Sequence, residues 1–216
     1  MLVNGEKKTS IWYNEAHSVV EILDQSKLPF ELVTRQLRSL DDFADAIQHM
    51  WVRGAPLIGS TAAFGLAESL KVDPSDTALQ HYYDRLHSAR PTAINLKWAL
   101  DLVKEAASQV SENDRYEVAL RCAKKIREDD IETNRQIGIH GLEIIREIAN
   151  SKSNHEPVRI LTHCNAGWLA TVDWGTATSP MYHAHQEDLN IHIYVDETRP
   201  RNQGALTAWE LSENGI

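Results

Sequence analysis

The 216-residue chain sets 31 Asp and Glu against 22 Lys and Arg, a formal net charge of -9, and is 42% hydrophobic and 25% charged. This is the make-up of a globular protein; it excludes a disordered, collagen-like or coiled-coil chain, and the length predicts one large domain or two small ones. The acidic balance and the lack of a dense basic stripe argue against a nucleic-acid partner, although a pocket for one small phosphate needs only a few arginines.

Met1 to Ser10 is polar, without the apolar stretch of a signal peptide. Residues 11–38 read as β structure: Val19, Ile22 and Leu23 form one short apolar patch, and Leu32, Val33 and Leu37 form another after Pro29. From 39 to 150 the pattern is helical. Ser39 suits a helix cap with Asp42 three positions on, and Leu40, Phe43, Ala44, Ile47 and Met50 follow at helical spacing. Gly54 and Pro56 break that pattern, and Pro56 suits the first turn of a next helix, where a missing N–H costs nothing. The apolar run from Pro56 to Leu70 contains Gly59, Gly65 and Glu68 and falls short of the roughly 20 residues that span a bilayer, so no membrane partner is expected.

Asp73-Pro74 and Arg90-Pro91-Thr92 are two further helix openings, the second followed by Ile94, Trp98, Leu102 and Val103 along one face. Tyr116, Val118, Ala119, Cys122, Ile126, Ile137, Ile144, Ile145 and Ile148 predict one long helix over 114–149, or two joined at Asp129-Asp130. Ser151 to Pro157 reads as a linker. Val158–Thr162 and Ile191–Val195 then read as short strands with a helix-compatible run between them, a βαβ pattern. The fold class is therefore α/β: residues 1–150 form a mostly helical domain with a few short strands, and 151–216 begin a parallel-sheet domain.

Three clusters carry candidate chemistry. Arg53-Gly54-Ala55-Pro56 puts a cation and free backbone N–H groups at a helix start, which suits a phosphate; the alternative is a helix–helix turn with a solvated arginine. Arg90-Pro91-Thr92 is a second such corner, and one anion between two arginines fits both. In Thr162-His163-Cys164-Asn165-Ala166-Gly167 a thiol lies just past a strand end and before an expected helix start, a setting for a nucleophile or base; a small buried cysteine fits as well. Ligands of open α/β sheets sit at such strand ends, where Asp196 also falls. Asp173 and Asp196-Glu197 are candidate acids or acceptors for ribose hydroxyls. Cys122 lies on an apolar helix face and reads as packing. His183, His185 and His192 lack partners at zinc spacing and read as surface or satisfied histidines. Trp168, Trp174 and Trp209 read as packing residues, with a wall of an apolar pocket as the alternative for one of them. With two cysteines and no disulfide framework, a reduced, cytoplasmic protein is expected.

Five segments stand in order: Val52 to Gly59, Arg90 to Leu96, Leu161 to Gly167, Asp196 to Ala205 (Asp-Glu-Thr-Arg-Pro-Arg-Asn-Gln-Gly-Ala) and Leu206 to Leu211 (Leu-Thr-Ala-Trp-Glu-Leu). With them the chain resembles, along essentially its whole length, the S-methyl-5-thioribose-1-phosphate isomerase family of methionine salvage. The resemblance implies a mainly helical N-terminal domain followed by a Rossmann-like sheet. It implies conversion of 5-methylthioribose 1-phosphate to 5-methylthioribulose 1-phosphate, with no cofactor or metal. Carried over by motif, Arg53, Gly54, Ala55, Arg90 and Gln203 bind substrate, the arginines mainly its phosphate, and Cys164 is the catalytic cysteine.

Two departures bear on these expectations. The family's catalytic aspartate and a substrate-contacting Asn-Lys pair follow the tryptophan-containing motif at 206–211, so a second polypeptide segment is expected to supply them and to complete the sheet. The family also usually has one more residue between Gly204 and Leu206 than Ala205 alone. The family forms homodimers, and the same is expected of complete protomers here. The competing readings are an isomerase of 5-deoxyribose 1-phosphate or ribose 1,5-bisphosphate, and a non-catalytic relative of the regulatory subunits of the eukaryotic initiation guanine-nucleotide exchange factor. An apolar wall at the C5 substituent distinguishes the sugars; Trp12, Phe30 and Trp168 are candidates for it.

Overall fold

The computed structural model describes residues 1–153, 156–199 and 201–216. Asn154 and His155, within the expected linker, and Pro200, within the 196–205 motif, lie outside the described residues. The chain divides into two compact units, Ser10–Asp129 and Met1–Thr9 with Asp130–Ile216. Packing thus divides the chain inside a helix, whereas its composition changes near 150, where that helix ends.

The chain opens with an antiparallel pair, β1 (Leu2–Val3) and β2 (Glu6–Lys7), belonging to the second unit. Its turn is Asn4-Gly5, both at positive φ, the dipeptide that two-residue hairpins favour. The first unit then begins with β3 (Ile11–Asn14), β4 (Val19–Leu23) and β5 (Thr34–Leu37), an antiparallel sheet in that order. Ile11 pairs with Ile22 and Val20 with Leu37, and all four are buried. Val19 and Leu23 on the other face are buried too, so β4 does not alternate.

Four helices follow in this unit: α1 (Leu40–Gln48), α2 (Ala55–Ser69), α3 (Asp76–Ala89) and α4 (Ile94–Ser108). Ser39 and Asp42 form a reciprocal capping box at α1. At α3 the cap is Ser75, whose hydroxyl accepts from the Ala78 N–H at 3.2 Å, while Asp73 accepts from the Ser75 N–H at 2.9 Å. The expected opening at Asp73-Pro74 is thus a turn that leads into the cap. Every residue of α2 from Leu57 to Ala67 is buried. A helix apolar on all sides belongs inside a protein, and this is what the run from Pro56 to Leu70 becomes. Among the described residues no helix is long and apolar enough to cross a membrane.

α5 (Glu112–Asn150) is one continuous helix, so the alternative of two helices joined at Asp129-Asp130 is not adopted. The second unit takes its latter part. There β6 (Val158–His163) and β7 (Ile191–Asp196) pair in parallel, Val158 opposite Ile191 and His163 opposite Asp196. Val158, Ile160 and Ile191 pack on Leu142 and Ile145 of α5 and on Ala184 of α6 (Ser179–Gln186). Leu161 and Tyr194 stand on the other face, exposed. α7 (Gln203–Glu213) closes the unit, and the β1–β2 pair hydrogen-bonds to its end: the Leu2 N–H donates to Asn214 at 2.9 Å and the Asn4 N–H to Glu213 at 3.0 Å.

α2 and α4 cross at Gly59, where a Cβ would stand 2.9 Å from the Asn95 carbonyl oxygen. Helix propensity favours Ala over Gly by about 1 kcal/mol, but overpacking against backbone typically costs about 1–3 kcal/mol. Gly59→Ala is therefore expected to lower the midpoint of chemical unfolding; a raised midpoint would show that the two helices separate freely.

Candidate active site

In the first unit the start of α2 and the corner between α3 and α4 enclose a cavity of about 360 Å³. Gly54, Ala55 and Ile58 line it from α2, and Arg90, Thr92 and Asn95 from the corner. Gly54 is the N-cap of α2 with φ 84°, a backbone conformation glycine adopts without penalty. Neither Gly54 nor Ala93, the N-cap of α4, gives its helix a side-chain cap. Two helix starts therefore present first-turn N–H groups that no capping side chain occupies, with the positive ends of both dipoles. Arg90, the C-cap of α3, is exposed and supplies a full positive charge. This arrangement suits a small anion such as a phosphate group. Arg53 is 7% exposed and its Nε donates to Gln25 Oε1 at 3.5 Å. It is not among the described lining residues of the cavity; it directly precedes Gly54, the N-cap of α2.

In the second unit Cys164 follows the last residue of β6 and has φ 66°. Its half-buried thiol donates to Gln203 Oε1 at 2.7 Å. Its carbonyl accepts from the Thr207 hydroxyl at 2.9 Å. The Asn165 side-chain amide donates to Thr207 Oγ1 at 3.0 Å and to the carboxylate of Glu210. That carboxylate also accepts from the Leu169 N–H at 3.1 Å. Gln203, Thr207 and Glu210 stand at i, i+4 and i+7 on α7, so one helix face holds the whole turn. The structure thus brings Gly54, Ala55 and Arg90 together in one unit, and Cys164 and Gln203 together in the other.

The setting of the thiol differs from the expected one. No α-helix starts directly after Cys164: a single 3₁₀ turn lies at Trp168–Ala170 and α6 begins only at Ser179. The helix start beside the sulfur is that of α7, whose first residue, Gln203, takes the thiol. Asn165, Thr207 and Glu210 had no assigned role in the sequence analysis. Their signal was the helical spacing of Gln203, Thr207 and Glu210, which becomes meaningful only once α7 is set against the end of β6.

The other candidates take structural places. Glu197 Oε1 accepts from the Thr198 and Gly204 N–H groups, each at 2.7 Å, and Oε2 from the Ala205 N–H at 3.0 Å. It is a cap for the start of α7, and these bonds hold its carboxyl below its ordinary value. Asp196 is exposed, 3.7 Å from His163 Nδ1. Asp173 takes the Met1 amino group at 2.6 Å. His183 stacks on Trp174 with ring centroids 4.6 Å apart, and burial pushes its pKa down. Among the described residues no group of three or more His, Cys, Asp and Glu is placed to hold a metal ion. Burial pushes the Cys122 thiol up. Of the candidate wall residues, Phe30 is 95% exposed and Trp168 fully buried beside Trp209. Trp12 is half-buried and donates to Glu21 at 2.7 Å. None of the three is among the described residues that line the cavity.

Comparison with known proteins places these geometries in context. The model of the initiation factor 2 subunit family matches residues 51–216. A protein of Sinorhizobium medicae named methylthioribose-1-phosphate isomerase is 55% identical over the whole chain, and one of Escherichia coli with the same name is 53% identical. The chain spans 60% and 58% of their lengths. Among solved structures, 5-methylthioribose 1-phosphate isomerase from Pyrococcus horikoshii aligns with a TM-score of 0.84 at 33% identity, over 98% of this chain and 59% of its own. The delta subunit of translation initiation factor eIF-2B from A. fulgidus aligns with a TM-score of 0.82 at 37% identity, over 97% of this chain and 61% of its own.

Glu197 offers a check on the strand-end geometry. Its folded carboxyl titrates below the ordinary 4.5. The stabilisation is therefore complete above that value and is lost as pH falls through the lower folded value. Glu197→Ala is expected to unfold at lower denaturant than the wild type at about pH 7, with the gap narrowing as pH falls below the ordinary carboxylate value. A gap independent of pH would remove the carboxylate from the cap.

Proposed function

The chain belongs to the initiation factor 2 subunit family, and on that premise we propose that it is the larger part of a sugar-phosphate aldose–ketose isomerase acting on 5-methylthioribose 1-phosphate. The observation that carries this reading is the 55% identity to a methylthioribose-1-phosphate isomerase across the whole of this chain. A thiol held by Gln203 at the end of a parallel strand, and a cavity at two uncapped helix starts beside Arg90, support it.

The chemistry sets the roles. The phosphate occupies the anomeric oxygen, so the sugar ring cannot open to a free aldehyde. Either a proton leaves C2 and returns at C1 through an enolate-like intermediate, or a hydride shifts from C2 to C1. Both routes open the ring oxygen, and a proton must reach that oxygen. Arg90, Gly54 and Ala55 bind the phosphate, Arg53 adds charge behind them, and Gln203 contacts the sugar. Cys164 is the base at C2, or the partner of the transition state if a hydride moves. The reading includes a second segment carrying the acid, and a homodimer of complete protomers. The greater length of the relatives and the exposed outer face of the β6–β7 pair, Leu161 at 66% and Tyr194 at 49%, support the second segment. Intact mass under denaturing conditions beside native mass tests both proposals: a complementing fragment or a longer chain, in two copies, is expected, and a single 24.4 kDa monomer that turns over substrate would overturn them.

The likeness to the A. fulgidus subunit favours a second reading, a regulatory subunit that binds without turnover. Ketose formation from 5-methylthioribose 1-phosphate separates the two. Cys164→Ser is expected to abolish turnover while substrate still binds, and equal loss of both would make the thiol structural. Arg90→Ala is expected to raise KM by about tenfold or more, the loss of a charge-assisted phosphate contact, with kcat little changed. An unchanged KM would remove Arg90 from the phosphate site.

A further inference from the structure

The carboxylate of Glu210 is wholly withdrawn from solvent. Burial of such a group is costly unless hydrogen bonds replace water, and two donors here come from one loop. Oε1 accepts from the Asn165 side chain and Oε2 from the Leu169 N–H. Between those two residues Gly167 passes so close that a Cβ there would run into both oxygens. The backbone after Cys164 is therefore wrapped on one carboxylate. One turn earlier on the same helix face, Thr207 is fully buried; it accepts from Asn165 and donates to the Cys164 carbonyl. Another turn earlier, Gln203 takes the thiol. Cys164 itself has φ 66°, a left-handed conformation that a side chain disfavours and that its surroundings must hold.

We propose that Glu210 is a positioning residue: its carboxylate anchors residues 165–169 and, through Asn165 and Thr207, holds Cys164 in the left-handed conformation that directs the thiol to Gln203. The consequence for turnover rests on the isomerase reading; the consequence for the thiol does not. Glu210→Gln keeps the shape but leaves a single acceptor oxygen. Its NH₂ group must then face either the Asn165 amide or the Leu169 N–H, donor against donor, and the loop loosens.

The test is peptide-resolved labelling of the purified full-length protein with iodoacetamide under native conditions, with Cys122 in the other unit as internal reference. In Glu210→Gln, Cys164 is expected to label faster by about tenfold as the half-buried thiol is released, with Cys122 unchanged within about twofold. An unchanged Cys164 rate, or equal acceleration of both thiols, would overturn the proposal, the latter because it marks general loosening of the fold. Should Glu210→Gln not fold, Gly167→Ala pushes on the same carboxylate from the loop side and is expected to give the same selective release. With 5-methylthioribose 1-phosphate as substrate, kcat is expected to fall by tenfold or more, on the order of 1.4 kcal/mol in the barrier, with KM unchanged. An unaltered kcat beside selective release of the thiol would overturn the catalytic consequence. A wild-type protein that turns over no substrate would instead overturn the isomerase reading, and the labelling result would still decide the role of Glu210.

Discussion

The hydroxyl of Thr207 donates to the carbonyl of Cys164, and the order of the strand end around it follows from that bond. A residue with a side chain does not rest at φ 66° unaided. α7 supplies the restraint with three side chains at helical spacing: Gln203 to the sulfur, Thr207 to the carbonyl, Glu210 to the loop beyond. α7 is itself fixed at its start by Glu197, whose carboxylate takes the Gly204 and Ala205 N–H groups. Glu197 directly follows β7, which lies parallel to β6 and in register with it. The chain of causes thus runs from the pairing of two short strands, through one helix cap, to the placement of one thiol.

The first unit uses a different device. α2 is apolar on every side over most of its length and sits in the core, which fixes where its N-terminus emerges. Close crossing with α4 at Gly59 brings a second helix start to the same cavity. Glycine and alanine at the two N-cap positions leave both starts without side-chain caps. In most helices such N–H groups are satisfied locally. Here both starts line a cavity with Arg90, an arrangement that suits an anion.

Much of this is legible in the residues themselves. Ser39 with Asp42 announces α1, Pro56 announces α2, and the β-branched runs at 158–162 and 191–195 announce the parallel pair. The Asn4-Gly5 hairpin is flanked by strands of only two residues, too short to show a strand pattern. What local pattern does not carry is long-range pairing. Glu197 looks like a free acid until the start of α7 is brought beneath it. Glu210 carries no sign of burial in the sequence until the Cys164 loop covers it. Trp168 looks like a pocket wall until it is found sealed in the core beside Trp209. Arg53 looks like a solvated cation until Gln25 meets it inside the unit. For Glu210, Trp168 and Arg53 the deciding contact lies many residues away in the chain, and for Glu197 it lies across the turn into α7; no periodicity of 2 or 3.6 encodes any of them.

On the proposed isomerase reading the Cys164 thiol meets the sugar phosphate. Protection of that thiol tests it most directly. Saturating 5-methylthioribose 1-phosphate is expected to suppress iodoacetamide labelling of Cys164 in the purified protein while Cys122 labels at its unliganded rate. Labelling of Cys164 that proceeds unchanged at substrate concentrations that saturate binding would contradict the account.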